Sequence, residues 1–330
     1  MIKPKRINTI LVTGANGFIG HRLCDKLSTA GYAVKGLVRR LPQEQEKPIS
    51  ENVELYRVND IENDTSWAQP LSRIDCIVHL AARVHVMDDK SKYPLIEYRK
   101  ANLNATNALL DCAARLGVQR FIFISTVKVH GDTTYETPFD EHSKPAPTDP
   151  YGISKLEAEE SIRARAENIG IEYTIIRAPL VYGPSVRANF LTLLKLIALG
   201  LPLPFGAIEN LRSFIYLDNI VDALIKSIQH RKAANETFLV SDGEDVSTPT
   251  LIKMIANAMG KRKPLLIPVP CFALQIIGSL SGKKEQVNRL INSLQIDSTK
   301  IQRLLHWQPP YTMEEAISNT VAWYCNSRHR

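Results

Sequence analysis

The chain has 330 residues, 44% of them apolar and 23% charged, with a formal net charge of +7. That is enough chain to bury a large core as one two-lobed unit or two domains, and without low-complexity segments or internal repeats it excludes a fibrous or solenoid architecture. The 41 Lys and Arg residues are spread along the chain, which reads as a solvated surface and argues against nucleic acid as a partner.

The N-terminus, MIKPKRINTILVTG, enters a glycine turn after only a short apolar run and does not read as a secretory signal. Thr9–Val12 is a short β-rich run. Gly14, Gly17 and Gly20 follow it, and Ile19, Leu23 and Leu27 then form one stripe at helical spacing, closed by Gly31. Ala33–Val38 and Cys76–Leu80 read as strands. Arg99–Leu116 reads as a helix ended by Gly117, before the strand Phe121–Ile124. Tyr151–Asn168 reads as a helix ended near Gly170, before the strand Tyr173–Arg177. Strands alternating with helices predict a parallel, doubly wound α/β sheet of Rossmann type. Past Pro179 the pattern is less regular and richer in proline, which predicts a smaller C-terminal substrate lobe. The expected division is a dinucleotide-binding domain over 1–178, rejoined by 213–240, and a substrate lobe over 179–212 and 241–330. Leu265–Leu280, LLIPVPCFALQIIGSL, is too short to span a bilayer and carries two prolines. It reads as a core helix with its lead-in, with a membrane-surface role as the alternative. The five cysteines (Cys24, Cys76, Cys112, Cys271, Cys325) are odd in number, scattered and never spaced CxxC. They fit neither a disulfide framework nor a structural zinc site. No metal is expected, and a cytoplasmic location is.

The glycines stand between a strand and a helix, the context in which such spacing binds a dinucleotide. The first permits a tight turn, the second lets backbone approach a pyrophosphate, and the third allows close helix–strand packing, with free N–H groups facing the phosphates. Gly14, Asn16, Gly17, Phe18 and Ile19 are the candidate contacts. Where an NAD site ends its second strand with an acid, this chain has Val38 followed by Arg39 and Arg40. A guanidinium at Arg39 suits a 2′-phosphate, so NADP(H) is favoured and NAD(H) is the alternative. Asp60 and Ile61 follow a further strand-like stretch and suit the adenine. Tyr151 and Lys155 share one helix face four residues apart, and an ammonium near a phenol lowers its pKa. Tyr151 is thereby a candidate general acid/base, with Lys155 also placed to hold a ribose hydroxyl.

TGANGFIG, HLAA (His79–Ala82), FISTVKVHG and YGISK together resemble the extended short-chain dehydrogenase/reductases of the NAD-dependent epimerase/dehydratase group. The resemblance continues through IRAPLVYGP, RSFIYLDN and FLVSDGEDVST and spans nearly the whole chain. It implies Thr126 as the third catalytic residue, Leu80, Ala81 and Ala82 beside the cofactor, and Lys128, Asn189 and Arg212 on the nucleotide-sugar side, with Arg212 at the diphosphate. It also implies a UDP-sugar or other nucleotide-diphosphate sugar as substrate, and a homodimer formed through helices 99–116 and 151–168. His130 stands where relatives often have Tyr, and Leu180 where many epimerases have Asn. His79 reads as a packed structural histidine. Val127 and Lys128, in place of an Asp-Glu pair, argue against a dehydratase. The subgroup resembled serves bacterial surface-polysaccharide synthesis. Within it the arginine at 39 favours a 4-ketoreductase acting on a UDP-4-keto-6-deoxy-hexosamine, with a UDP-hexose 4-epimerase as first alternative and a non-catalytic NADP sensor as second.

Overall fold

The computed structural model describes residues 7–41, 49–59, 61, 73–84 and 91–327. Its centre is a seven-stranded parallel sheet of β1 (Thr9–Thr13), β2 (Ala33–Val38), β3 (Val53–Arg57), β4 (Cys76–His79), β5 (Arg120–Thr126), β6 (Glu172–Ala178) and β9 (Glu236–Leu239), in the order β3-β2-β1-β4-β5-β6-β9. The central strands β1 and β4 are mostly apolar and buried because both faces of the sheet are covered. Ile10, Leu11 and Val12 have no exposed surface, and neither have Ile77 and Val78. On one face Ile10, Val12, Ile122 and Ile176 pack with Leu23 and Leu27 of α1 (Phe18–Thr29) and with Ile220 and Leu224 of α6 (Leu217–Gln229). On the other, Leu11, Ile77, Phe121 and Ile175 pack with Leu109 and Leu110 of α3 (Ala105–Leu116) and with Ala158 and Ile162 of α4 (Pro150–Ile169). The fold is thus doubly wound, and strand order reverses between β1 and β4, where such sheets open a crevice at their carboxyl ends.

A second large core lies outside the main sheet. β7 (Leu180–Tyr182) and β8 (Phe214–Tyr216) form a separate two-stranded parallel sheet. Tyr182 and Tyr216 pack there with Phe190 and Leu194 of α5 (Ala188–Leu199), Ile252 and Ile255 of α7 (Thr248–Ala258), and Ile317 and Val321 of α11 (Met313–Ser327).

Two elements differ from expectation. The helix expected over 99–116 begins earlier, at α2 (Pro94–Tyr98), and passes through a π-helical turn, Arg99–Asn104, before α3. In that widened turn the side chain of Asn102 is buried, accepting from Arg83 N–H (2.8 Å) and donating to Ser154 Oγ (2.9 Å). The apolar stretch 265–280 is not a core helix. Its helix α8 (Cys271–Leu280) turns Leu274 and Gly278 inward against α9 (Lys284–Ile291) and leaves Phe272, Ile276, Ile277 and Leu280 exposed. Apolar composition marks a helix that buries something, but not which face meets protein.

Candidate active site

The glycine turn links β1 to α1 at the crevice. Gly14 has φ +67°, a left-handed conformation, and a Cβ there would lie 3.0 Å from Ala81 N. A Cβ on Gly20 would lie 2.1 Å from Gly14 O, so only glycine lets α1 start this close to the turn. Gly17 caps α1 without a side-chain hydrogen bond, and no acidic residue occupies the first turn. The helix therefore presents unsatisfied N–H groups to an anion. Asn16 is exposed and donates to Arg40 O (3.1 Å), tying the turn to the end of β2, where Arg39 and Arg40 lie in solvent. Phe18 and Ile19 are half-buried in the first turn of α1. Ile61 is half-buried against the α3–α4 side of the sheet; Asp60 lies outside the described residues.

Beyond β4, the Thr13 hydroxyl accepts from Leu80 N–H (3.2 Å) and Ala81 N–H (3.1 Å), holding this loop against Gly14. The same hydroxyl must then donate to His79 Nδ1 (2.7 Å), which leaves the imidazole proton on Nε2 to reach Thr106 Oγ1 (3.1 Å). Burial and the nearby Lys155 push His79 down to about 3, so it is a neutral, structural histidine. Ala82 follows, half-buried at the mouth.

Thr126 ends β5, and its Oγ1 accepts from Lys128 N–H (3.3 Å), capping the 3₁₀ turn Val127–Val129. α4 starts at Asp149, whose Oδ1 accepts from Gly152 N–H (2.7 Å), with Pro150 at the first helical position. The start of α4 is docked on the end of β5: a Cβ on Gly152 would meet Lys128 O at 2.9 Å, and Lys155 Nζ lies over the Phe123 ring, 3.7 Å from its centroid. Tyr151 is half-buried beside Tyr98, with ring centroids 6.2 Å apart. Thr126, Tyr151 and Lys155 thus converge at the carboxyl ends of β4 and β5.

The electrostatics differ from the sequence expectation in one respect. Burial, then the Asp149 carboxylate and Tyr98, push the Tyr151 phenol up, not down. Burial likewise lowers Lys155 to about 7, against the pull of Glu159, so much of the charge that would favour the phenolate is lost at neutral pH. Lys155 has no hydrogen-bond or ion-pair partner among the described residues; Glu159 is engaged with Arg177 (2.6 Å) and Arg163 (2.8 Å). A buried ammonium without an acceptor among the described residues, across the crevice from a glycine turn with open N–H groups, fits a dinucleotide whose ribose hydroxyls would supply the acceptor.

Lys128 is held between Asp149 and Asp132, its Nζ 3.0 Å from Asp132 Oδ1. Arg212 is half-buried in the second lobe, donating to Asn292 O (2.9 Å); burial and Arg289 bring its guanidinium down to about 10, against Asp132. Burial raises Asp132, but Thr148, Lys128 and Arg289 outweigh it and hold the carboxyl low. Lys128, Asp132, Arg212 and Arg289 therefore form one charge cluster at the lobe junction. Asn189 is half-buried at the start of α5, preceded by the strained left-handed residues Ser185 (φ +73°) and Ala188 (φ +52°). His130 Nε2 accepts from Arg177 Nη1 (2.8 Å), and its ring stacks on Phe139. Sequence reading missed Asn102, which joins the loop after β4 to α4, and Arg289, whose nearness to Arg212 depends on a fold-back of more than 70 residues. A motif scan carries no signal for either.

A switch-point crevice with a glycine turn on one wall and a Thr–Tyr–Lys group on the other defines a nucleotide-cofactor enzyme of the extended short-chain dehydrogenase/reductase type. The chain belongs to the NAD dependent epimerase/dehydratase family, whose model matches residues 10–241. It is 41% identical over 329 residues to UDP-glucose 4-epimerase of Vibrio cholerae, covering 99% of this chain and 98% of that protein. A crystal structure of UDP-glucose 4-epimerase from Thermotoga maritima with UDP-glucose matches with a TM-score of 0.79 at 27% identity, over 97% of this chain and 99% of that one. UDP-glucuronic acid 4-epimerase from Bacillus cereus in complex with NAD matches with a TM-score of 0.77 at 25% identity, over 96% and 99% of the two chains. These relatives weigh against the NADP(H) preference and the ketoreductase drawn from Arg39, since the family is NAD dependent and the relatives are epimerases.

Proposed function

We propose that the protein is a UDP-hexose 4-epimerase that works with bound NAD. The observation that carries this reading is the 41% identity to a UDP-glucose 4-epimerase across essentially the whole of both chains. NAD would lie along Gly14, Asn16, Gly17, Phe18 and Ile19, with Leu80–Ala82 and Lys155 beside it, and would supply a hydride acceptor at the sugar's C4. Tyr151 Oη exchanges a proton with the C4 oxygen. Thr126 donates a hydrogen bond that fixes this oxygen. Lys155, once its ammonium has an acceptor, stays charged and favours the phenolate. Arg212 and Arg289 bind the diphosphate, Asn189 the nucleotide end, and Lys128, through its ion pairs, positions the start of α4.

Arg39 and the missing acid after Val38 favour a second reading, a 4-ketoreductase using NADPH. One experiment separates them. The purified protein is denatured, the released nucleotide identified by mass, and native protein incubated with UDP-glucose or UDP-N-acetylglucosamine without added cofactor. Released NAD and formation of the C4 epimer are expected. No epimer, with NADPH consumed by a UDP-4-keto-6-deoxy-hexosamine, would establish the reductase instead.

A further inference from the structure

The exposed face of α8 goes beyond this reading. Phe272 is 65% exposed, Ile276 55%, Ile277 59% and Leu280 85%. Positions 272, 276, 277 and 280 form one stripe along the helix, opposite the inward Leu274 and Gly278. The extended lead-in adds Leu265 (65%) and Ile267 (44%). Backbone pairing of Leu203 with Leu265 and Ile267 sets this lead-in beside the chain that carries Leu199 and Leu201, also exposed. A run of exposed apolar side chains of this kind marks something that covers it.

The surrounding charge says what. Residues 261–284 contain Lys261, Arg262, Lys263, Lys283 and Lys284 and no Asp or Glu. The cations stand at the two ends of the apolar stretch, all five exposed. Glu285, the first acid beyond them, is paired with Arg289. A short helix with an apolar face and cations at its margins lies in the interface plane of an anionic membrane, apolar side chains among the acyl chains and ammonium groups at the headgroups. A second protein copy would bring a like-charged rim against this one, which disfavours self-association. No helix among the described residues is long and apolar enough to span a bilayer, so attachment would be peripheral. We infer that α8 and its lead-in dock the protein on an anionic phospholipid surface.

The test is co-sedimentation of the full chain with vesicles of phosphatidylglycerol and phosphatidylethanolamine, against vesicles of phosphatidylcholine. Binding to the anionic vesicles alone, weakened by added salt, is expected. Ile276→Glu with Leu280→Glu should abolish it. Arg262→Glu with Lys283→Glu should weaken it about 25-fold or more, at roughly a factor of five per charge near the surface. Both variants alter exposed side chains that the proposed site does not use, so turnover of a soluble UDP-sugar without vesicles should match the parent, which shows that they fold. Failure of the parent chain to sediment with anionic vesicles overturns the proposal. So does light scattering that finds an oligomer dissociated by Ile276→Glu with Leu280→Glu, because another copy would then cover the face.

Discussion

Lys155 is buried, with its ammonium over the Phe123 ring and Glu159 within electrostatic reach. In the unfolded chain it titrates near its ordinary 10.5, and in the folded, cofactor-free protein at about 7. Between those values the unfolded state binds more protons, so stability must rise with pH across that window; below pH 7 both states are charged and the gain is absent. The slope approaches about 1.4 kcal/mol per pH unit at its steepest. Above pH 9 the buried thiols of Cys24 and Cys76, both pushed up to about 12 by burial, work in the opposite direction. Denaturant melts of the cofactor-free protein between pH 7 and 9 should show the rise, and Lys155→Met should flatten it. An unchanged slope in that variant would mean that Lys155 is charged and solvated in the free protein. Tyr151→Phe keeps the ring against Tyr98 and removes only the hydroxyl. Folding and NAD retention should survive while kcat falls about 10² to 10⁴, the usual worth of a positioned acid/base. Parental turnover in this variant would remove Tyr151 from the chemistry. The pair was legible in the sequence because four-residue spacing fixes a shared helix face. The direction of the phenol's shift was not, because it depends on how deeply α4 sinks against β5 and on Asp149 at the cap.

At the scale of elements, the glycine turn and α1 act as one unit. The third glycine is the tightest point: Gly20→Ala would drive a Cβ into Gly14 O, which is backbone and cannot swing aside. Helix and turn must separate, moving the N–H groups from the phosphate position. NAD affinity should fall at least about tenfold, with a loss of roughly 1–3 kcal/mol in stability from overpacking, measured by cofactor retention and thermal melting. Full retention would mean that α1 slides without moving the turn. This element was readable in advance because each glycine answers a local steric demand. So were the inner strands: Ala33–Val38 is legible at its own bounds, with Val34, Leu37 and Val38 buried, and both of its sheet neighbours are parallel strands. The π turn at Arg99–Asn104 and the outward face of α8 were not. One depends on a buried Asn102 meeting Ser154 from another helix. The other depends on which apolar face finds protein, and periodicity cannot distinguish a face that meets a core from one that meets a membrane.

For the whole molecule, the decisive feature is that the chain crosses between its two cores and so brings distant cations to one junction. Arg22 of α1 pairs with Asp218 of α6 (2.5 Å), and Asn219 bonds Asp242 (2.8 Å) and Tyr311 O (2.9 Å), which fixes α6 between the sheet and the second core. Against that frame Arg212 enters from the segment just ahead of β8 and Arg289 from α9. Two guanidiniums sit close enough for one to lower the other, with Asp132, and on Arg289 also Glu285, as partial compensation. At neutral pH Arg212 remains charged, because about 10 is still far above the working range. Like charges held together at a half-buried site are costly unless an anion joins them, and a diphosphate offers two charge-assisted contacts. Arg212→Ala and Arg289→Ala should therefore each raise KM for the UDP-sugar about tenfold to a hundredfold, at roughly 1.5–3 kcal/mol per contact. NAD retention should be unaffected, since the dinucleotide turn lies on the other wall of the crevice. The double variant should lose less than the sum of the single losses: removing one cation relieves the other and leaves the diphosphate a simpler site. A KM unchanged in both single variants would place the diphosphate elsewhere and leave the cluster as an interlobe tie. In that case the same substitutions would lower the melting temperature of the substrate-free protein, whereas relief of like-charge repulsion should hold it steady or raise it.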